Sequence, residues 1–330
     1  MAVKYQYKSN ISGYITGYLG YMRAAGYKFK VPERMLRQFD QYCFDHNIQA
    51  SMLPREAVEE FCHGDDYDAQ ATREVRTRVI RNLAEYMGKA GCSVYVSPLP
   101  LKTFSYPRHD PYIYSVEELA SIFLQIDSWQ ASDKSHSNRK VVDPLLFRML
   151  YGCGLRITEA LNLKVSDVDM KEGVLRICQA KNNKDRFVPM ANSLTERCRD
   201  YHRIMHRFSM ADSYFFPGQH GGCYDQSTIY RRFRQYLWKA GISHCGSGPS
   251  VHSFRHAYCV HRFKKWVLQG KELTNLMPYL AVYLGHSDFR GTQYYLRLTV
   301  DLYPDIIAKM EVASGYIIPE RGENDEAEGK

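Results

Sequence analysis

Apolar residues recur at helical spacing along most of this chain, and the breaks between the runs mark its organisation. Ile11, Ile15, Tyr18, Leu19 and Met22 predict a first helix, with Gly26 as its stop. Met35, Leu36, Phe39, Tyr42 and Cys43 predict a second after Pro32. Ala57, Val58, Phe61 and Cys62 predict a short third after Pro54, and Thr72, Val75, Val79, Leu83 and Met87 a fourth that ends near Gly91. Four helices of this size make a small bundle. Residues 97–111 read SPLPLKTFSYPRHDP, with four prolines whose fixed φ and missing N–H suit an extended linker. The expected division is a helical domain over 1–97, a linker over 98–111, a second domain over 112–319 and an acidic, disordered tail over 320–330.

The second domain opens on a capping signal, Ser115 with Glu118 three residues on. Asp143-Pro144 is expected to start a helix that buries Leu145, Leu146, Phe147, Met149 and Leu150. Gly152 and Gly154 break it, which puts Arg156 at a turn opening the next short helix. Residues 174–178 and 186–190 predict two strands joined by the polar loop KNNKD. Leu194, Cys198, Tyr201, Met205 and Phe208 predict a helix, and another follows Ser227. Further helices are predicted over 253–268 and 276–284, the latter capped by Gly285. Tyr295 is expected on a short helix after Gly291-Thr292, and a final amphipathic helix over 300–312. The fold class is mainly α with a small β hairpin.

Charge adds a partner to this picture. The formal net charge is +8 and the pI about 8.9. The tail from Glu320 to Lys330 holds five acids against two bases, so the rest of the chain carries +11. A basic body favours a polyanion, through phosphate neutralisation and counterion release. Arg73, Arg76, Arg78 and Arg81 lie on the fourth helix, though not on one face, and offer contacts to DNA. For any single one of them a solvated surface charge is the plainer reading. Nine dispersed cysteines, with no Cys-x-x-Cys pair, argue against a disulfide scaffold and a structural zinc site. No stretch of about eighteen apolar residues and no apolar leader is visible, so a cytoplasmic protein with no membrane span is expected.

The candidate chemistry sits in three clusters: GLRITE around Arg156 and Glu159, HSFR with His252 and Arg255, and LGH with His286 followed by Tyr295. Each is weak alone. Together they set two arginines, two histidines and a tyrosine in order, a set suited to cutting a phosphodiester without a metal. Arginine binds phosphate oxygens in a planar fork, histidine moves protons near neutral pH, and tyrosine can hold the cut strand as a covalent ester.

With Lys181 in AKNNKDRFVPM and Tyr295 nine residues after His286, these motifs resemble the tyrosine recombinase (phage integrase) family. The resemblance covers the whole second domain and extends more loosely to the first, which is similar to that family's core-binding domain. It implies a two-domain clamp around duplex DNA, a homotetramer on two inverted-repeat sites, a Holliday junction, and no cofactor or metal; accessory DNA-bending proteins are conceivable partners. On this resemblance Tyr295 is the nucleophile. Arg156 and Arg255 neutralise the phosphate oxygens, with a further hydrogen bond from His286. His252 assists proton removal, and Lys181 protonates the departing 5′-oxygen, with Lys184 in the same loop as its competitor. Glu159, on one helical face with Arg156, orients an arginine or histidine. Tyr294 adjoins the nucleophile, and the helix register should bring only one of the two to the phosphate. A first helix starting by Ile11 leaves no room for an N-terminal arm-binding domain, which suggests a compact Xer-like or transposon-type enzyme whose expected task is integration or excision of a mobile element. The rival readings are a catalytically silent DNA-binding protein on the same scaffold and a type IB topoisomerase. A metal-dependent nuclease is disfavoured, since no acidic cluster with ligand spacing stands out.

Overall fold

In the computed structural model the residues described are 5–27, 29–65, 68, 70–98, 111–130, 138–178, 185–218, 220–246, 248–286 and 290–302. The chain divides into two compact units, Met1–Arg108 and His109–Lys330. Most of the expected linker, the loop carrying Lys181 and Lys184, and everything from Tyr303 on lie outside the described residues.

In the first unit the apolar stripes close on one another. Helix α1 (Ser12–Ala24) buries Ile15, Tyr18 and Leu19. Helix α2 (Lys30–Asp45) contributes Met35, Leu36, Phe39 and Cys43, with Pro32 in its first turn, where a missing N–H costs little. Strand β1 (Met52–Leu53) leads into α3 (Arg55–His63), and α4 (Gln70–Lys89) is followed by strand β2 (Ser93–Val94). The two strands pair in parallel, Met52 with Ser93 and Leu53 with Val94, and tie the exit of α4 to the entry of α3. Val75, expected in the apolar stripe of α4, is 37% exposed, and the buried stripe begins one turn later at Val79. Asp40 is wholly buried. It accepts hydrogen bonds from Ser9 N (3.1 Å) and Oγ (2.6 Å), Lys8 N (3.0 Å) and Tyr5 Oη (3.1 Å), and so pins the segment before α1.

The second unit is helical around a small antiparallel sheet. Helix α5 (Val116–Asp127) starts at the Ser115/Glu118 capping box, with both reciprocal bonds formed, at 3.1 and 2.9 Å. Helix α6 (Arg139–Gly152) starts earlier than expected and carries Pro144 in its second turn. What holds that turn is Asp143, fully buried, which accepts from Arg232 Nη1 (2.9 Å) and Tyr236 Oη (2.8 Å) and pairs with Arg139 Nε at 3.2 Å. Helix α7 (Ile157–Asn162) follows, then a 3-10 turn and strands β3 (Val168–Asp169), β4 (Val174–Ile177) and β5 (Arg186–Pro189), paired in the order β3-β4-β5. Helix α8 (Asn192–Met205) stops before Phe208, which is 92% exposed rather than on the helix. The stop is His206, which turns inward and contacts Phe215 O at 2.7 Å.

Helices α9 (Gln226–Lys239), α10 (Ser253–Leu268), α11 (Leu273–Leu284) and α12 (Arg290–Leu302) complete the unit. Helix α10 is buried along most of its circumference, from Ser253 to Phe263, as befits a central element. Phe254 packs on Tyr114, Phe147 and Phe233, with ring centroids 5.2 to 5.9 Å apart. Val300, expected to open a separate helix, belongs to α12, the helix that carries Tyr295.

Asp143→Ala would leave the buried Arg139 and the half-buried Arg232 without their carboxylate. The expected cost is about 3–5 kcal/mol in the chemical denaturation of the full chain. A cost below about 1 kcal/mol would show that the cluster does not hold the α6–α9 contact.

Candidate active site

The end of α6 and the start of α7 form a tight turn because Gly154 takes φ +60°. A Cβ there would lie 2.7 Å from the Tyr258 ring, so this side chain of α10 packs directly on the turn's backbone. Arg255, 1% exposed on α10, fills the space beside it. Its Nη1 donates to Gly154 O at 2.7 Å and its Nη2 to Leu284 O at 2.6 Å, which joins the turn to the end of α11. Gly285 ends α11 in the left-handed region, at φ +68°, and turns the chain into His286.

Arg156 is the N-cap of α7. Glu159, in the first turn, reaches back to it: Arg156 N donates to Oε2 at 2.9 Å and Arg156 Nη1 to Oε1 at 2.7 Å. The carboxylate is buried and takes two more bonds from Arg186 on β5, Nη1 to Oε1 at 3.0 Å and Nη2 to Oε2 at 2.8 Å. Arg255 Nη1 stands 3.9 Å away. Its four acceptor positions are thus filled. Burial pushes the Glu159 carboxyl up, but the Arg186 bonds and charge, the Arg156 N–H and the Arg255 charge outweigh it and hold the group at about 2. Arg156 Nη2 lies 3.5 Å from Gly285 O, and this guanidinium keeps more surface than the other two, 22% against 6% for Arg186 and 2% for Arg255.

Tyr295 is on the inner face of α12 and 5% exposed, seated in the unit that holds the arginines. Its ring lies 5.5 Å from that of His256 and 6.0 Å from that of His286, stacked on the latter. Burial raises its hydroxyl above the ordinary phenol range, Cys259 adds to the rise, and Arg255 and Arg156 oppose it. His286 is set by Thr292, whose Oγ1 lies 2.9 Å from its Nδ1. His252 is the N-cap of α10 and meets solvent on one side. Crowding on its other side, with the Arg255 and Arg156 charges, pushes it down to about 4, so it is neutral near pH 7. Its ring contacts that of His256 edge-on at 4.6 Å, and the His256 ring in turn contacts that of Tyr295. A phenol under the influence of two guanidinium groups, with the neutral imidazoles of His252 and His256 nearby, suits anion binding and proton transfer at an oxygen centre.

A family model described as the phage integrase family matches residues 125–301, which span α6 to α12 and this constellation. The chain belongs to that family. A putative integrase/recombinase, y4rE of Sinorhizobium fredii, is 31% identical over 293 residues, covering 86% of this chain and 91% of the relative. The tyrosine recombinase XerD of Staphylococcus epidermidis is 23% identical over 270 residues, covering 81% of this chain and 86% of the relative. The fold matches a lambda integrase dimer bound to a COC′ core site, with TM-score 0.59, 13% identity and coverage of 84% of this chain and 95% of that one. It also matches the XerH recombinase bound to difH substrate, with TM-score 0.58, 19% identity and coverage of 81% and 75%. As a phage integrase family member the chain is a tyrosine recombinase enzyme, mainly helical with small sheets.

The structure brings Arg156, Glu159, His252, Arg255, His286 and Tyr295 together; Lys181 and Lys184 lie outside the described residues. Sequence reasoning missed Arg186 and His256. Arg186 shares the inward face of β5 with Val188, and a charge on a core-facing strand position demands a buried partner. His256 sits four residues from His252, hence on the same helical face. In the first unit, Arg73 donates to Asp65 O (2.9 Å), Arg76 pairs with Asp68 (2.7 Å), and Arg81 binds Ser97 O (2.7 Å) and Glu85 (2.9 Å). Arg78 is exposed.

A carboxyl held at about 2 contributes stability that is complete above about pH 4.5 and is lost as pH falls towards 2. Glu159→Gln is expected to lower stability by about 3 kcal/mol near neutrality. The gap to wild type should narrow between about pH 4.5 and about pH 2 in denaturant titrations. A gap independent of pH would contradict an ionised, cation-bound Glu159.

Proposed function

We propose that this tyrosine recombinase cuts and rejoins duplex DNA at specific sites through a 3′-phosphotyrosyl bond on Tyr295. The observation that carries the reading is a buried tyrosine seated beside Arg255 on its own chain, between the rings of His256 and His286. In this reading the Tyr295 oxygen attacks the scissile phosphorus, and the bond to the 5′-oxygen breaks. Arg156 and Arg255 neutralise the charge growing on the non-bridging oxygens, and His286 adds a hydrogen bond. The tyrosine proton passes towards His252, which is neutral and so able to accept it. Lys181 protonates the 5′-oxygen, and Glu159 aims the guanidinium of Arg156. Phosphodiester energy is kept in the new ester, and a 5′-hydroxyl from another strand reverses the step without ATP or metal.

Residues 1–97 serve as the core-binding domain and 112–319 as the catalytic domain, joined by the linker at 98–111. Arg78 is the α4 arginine most available to DNA, since Arg73, Arg76 and Arg81 bind within their own unit. A solved lambda integrase tetramer is bound to a Holliday junction, which supports a homotetramer on paired sites here. Integration or excision of a mobile element is the task we assign, in keeping with relatives termed integrase/recombinase.

On a nicked suicide substrate, Tyr295→Phe should keep DNA binding and yield no covalent adduct, while Tyr294→Phe should still form it. Adduct from Tyr295→Phe would move the nucleophile elsewhere; a wild type that binds DNA and forms none would favour a binding-only protein. Lys181→Ala should slow single-turnover cleavage by about a hundredfold or more, and far more than Lys184→Ala. Equal effects would undo the choice of Lys181.

A further inference from the structure

We propose that Arg186 is a positioning residue for strand cleavage, fixing Arg156 through Glu159 and the approach to His286 through the Tyr283–Gly285 turn. This rests on the reading of Arg156 as a phosphate-binding group.

Three elements meet on this one side chain. Arg186 opens β5, immediately after the hairpin loop, and points inward. Its guanidinium forks onto both Glu159 oxygens, with side-chain exposures of 6% and 4%. Its Nε donates to Tyr283 O at 2.8 Å, near the end of α11. It also lies flat on Gly285: a Cβ there would meet Arg186 Nη1 at 2.9 Å and Cζ at 3.1 Å. Gly285 leads directly into His286. One planar group therefore sets the spacing between α7, β5 and the α11 cap.

Arg186 stands behind Glu159, so it acts through its neighbours rather than on the phosphate. A buried ion pair is a poor way to gain net stability, and apolar side chains would fill the same space. What an apolar pair would not do is keep Glu159 ionised with an oxygen directed at Arg156 Nη1. Without the Arg186 bonds and charge, less opposes the effect of burial at Glu159 and its carboxyl rises from about 2. Once protonated, it no longer holds the Arg156 guanidinium by charge. Cleavage by an Arg186 variant should therefore fall below wild type progressively as pH falls.

The test is single-turnover adduct formation on a nicked substrate from about pH 8.5 to about pH 5.5, for wild type, Arg186→Met and Arg186→Lys, with DNA affinity measured alongside. The expected result is near-wild-type affinity and a variant-to-wild-type rate ratio that drops by about tenfold or more across that range for Arg186→Met. Arg186→Lys, which keeps a charge without the fork, should show a smaller drop and stands in if the methionine variant fails to fold. Adding Glu159→Gln should flatten the ratio, since the titrating group is gone. In parallel, the Glu159 carboxyl 13C signal should titrate at higher pH in the variants than in wild type. A ratio flat with pH, or variants as fast as wild type, would overturn the proposal while leaving the recombinase reading intact. Absence of any wild-type adduct would overturn that reading and this one with it.

Discussion

The candidate site is organised around one buried carboxylate. Glu159 has both oxygens saturated by Arg156 and Arg186, with Arg255 within 3.9 Å. Guanidinium groups this close repel one another, and an anion among them is what lets them share a small volume. The anion is in turn kept ionised by those cations against a burial that favours the neutral acid. Each side of the arrangement is untenable alone. Removing the carboxylate leaves buried cations uncompensated, and removing a cation loosens the carboxylate's hold on the rest.

Backbone geometry completes what the charges begin. Gly154 lets the α6–α7 turn approach α10, and Gly285 lets the end of α11 lie against Arg186. Arg255 spans both through the Gly154 and Leu284 carbonyls. These bonds satisfy chain ends that a helix leaves open, so the same groups close the fold and present the cations. Tyr295 arrives from α12, packed on α10 in its own chain, with Leu298 beside it in the same apolar cluster. Its burial keeps the phenol protonated at rest, and the neighbouring arginines supply the field that opposes this.

Much of this was legible in the sequence because burial writes periodicity. Helix α10 was expected over 253–268 and spans Ser253–Leu268, since nearly every turn carries a buried apolar residue. The Ser115/Glu118 box and the Gly285 cap were readable as local hydrogen-bond chemistry. Misreadings arose where a tertiary contact overrode the local signal. Pro144 normally marks a helix start, yet Asp143 anchors an earlier turn to α9 through Arg232 and Tyr236. Phe208 continues the α8 stripe in sequence but not in space, because His206 finds an acceptor inside and ends the helix. The β1–β2 pair is too short for any alternation to register. In the site, order and spacing pointed to Arg156, His252, Arg255, His286 and Tyr295, which the fold brings together. Arg186, held by Glu159 and the Tyr283 carbonyl, and His256, packed on the rings of His252 and Tyr295, left a fainter trace: a charge at a core-facing strand position and a histidine one turn from another.

On the recombinase reading, the site supplies positive charge to a phosphate in transition. That role can be read from cleavage of two nicked substrates, one ordinary and one with a methylphosphonate at the scissile position, where a methyl group replaces a charged oxygen. Wild type and Arg156→Ala would be compared on both. If charge neutralisation is what Arg156 provides, its loss should cost on the order of a hundredfold or more on the phosphate and at least about tenfold less than that on the methylphosphonate. An equal loss on both substrates would contradict it.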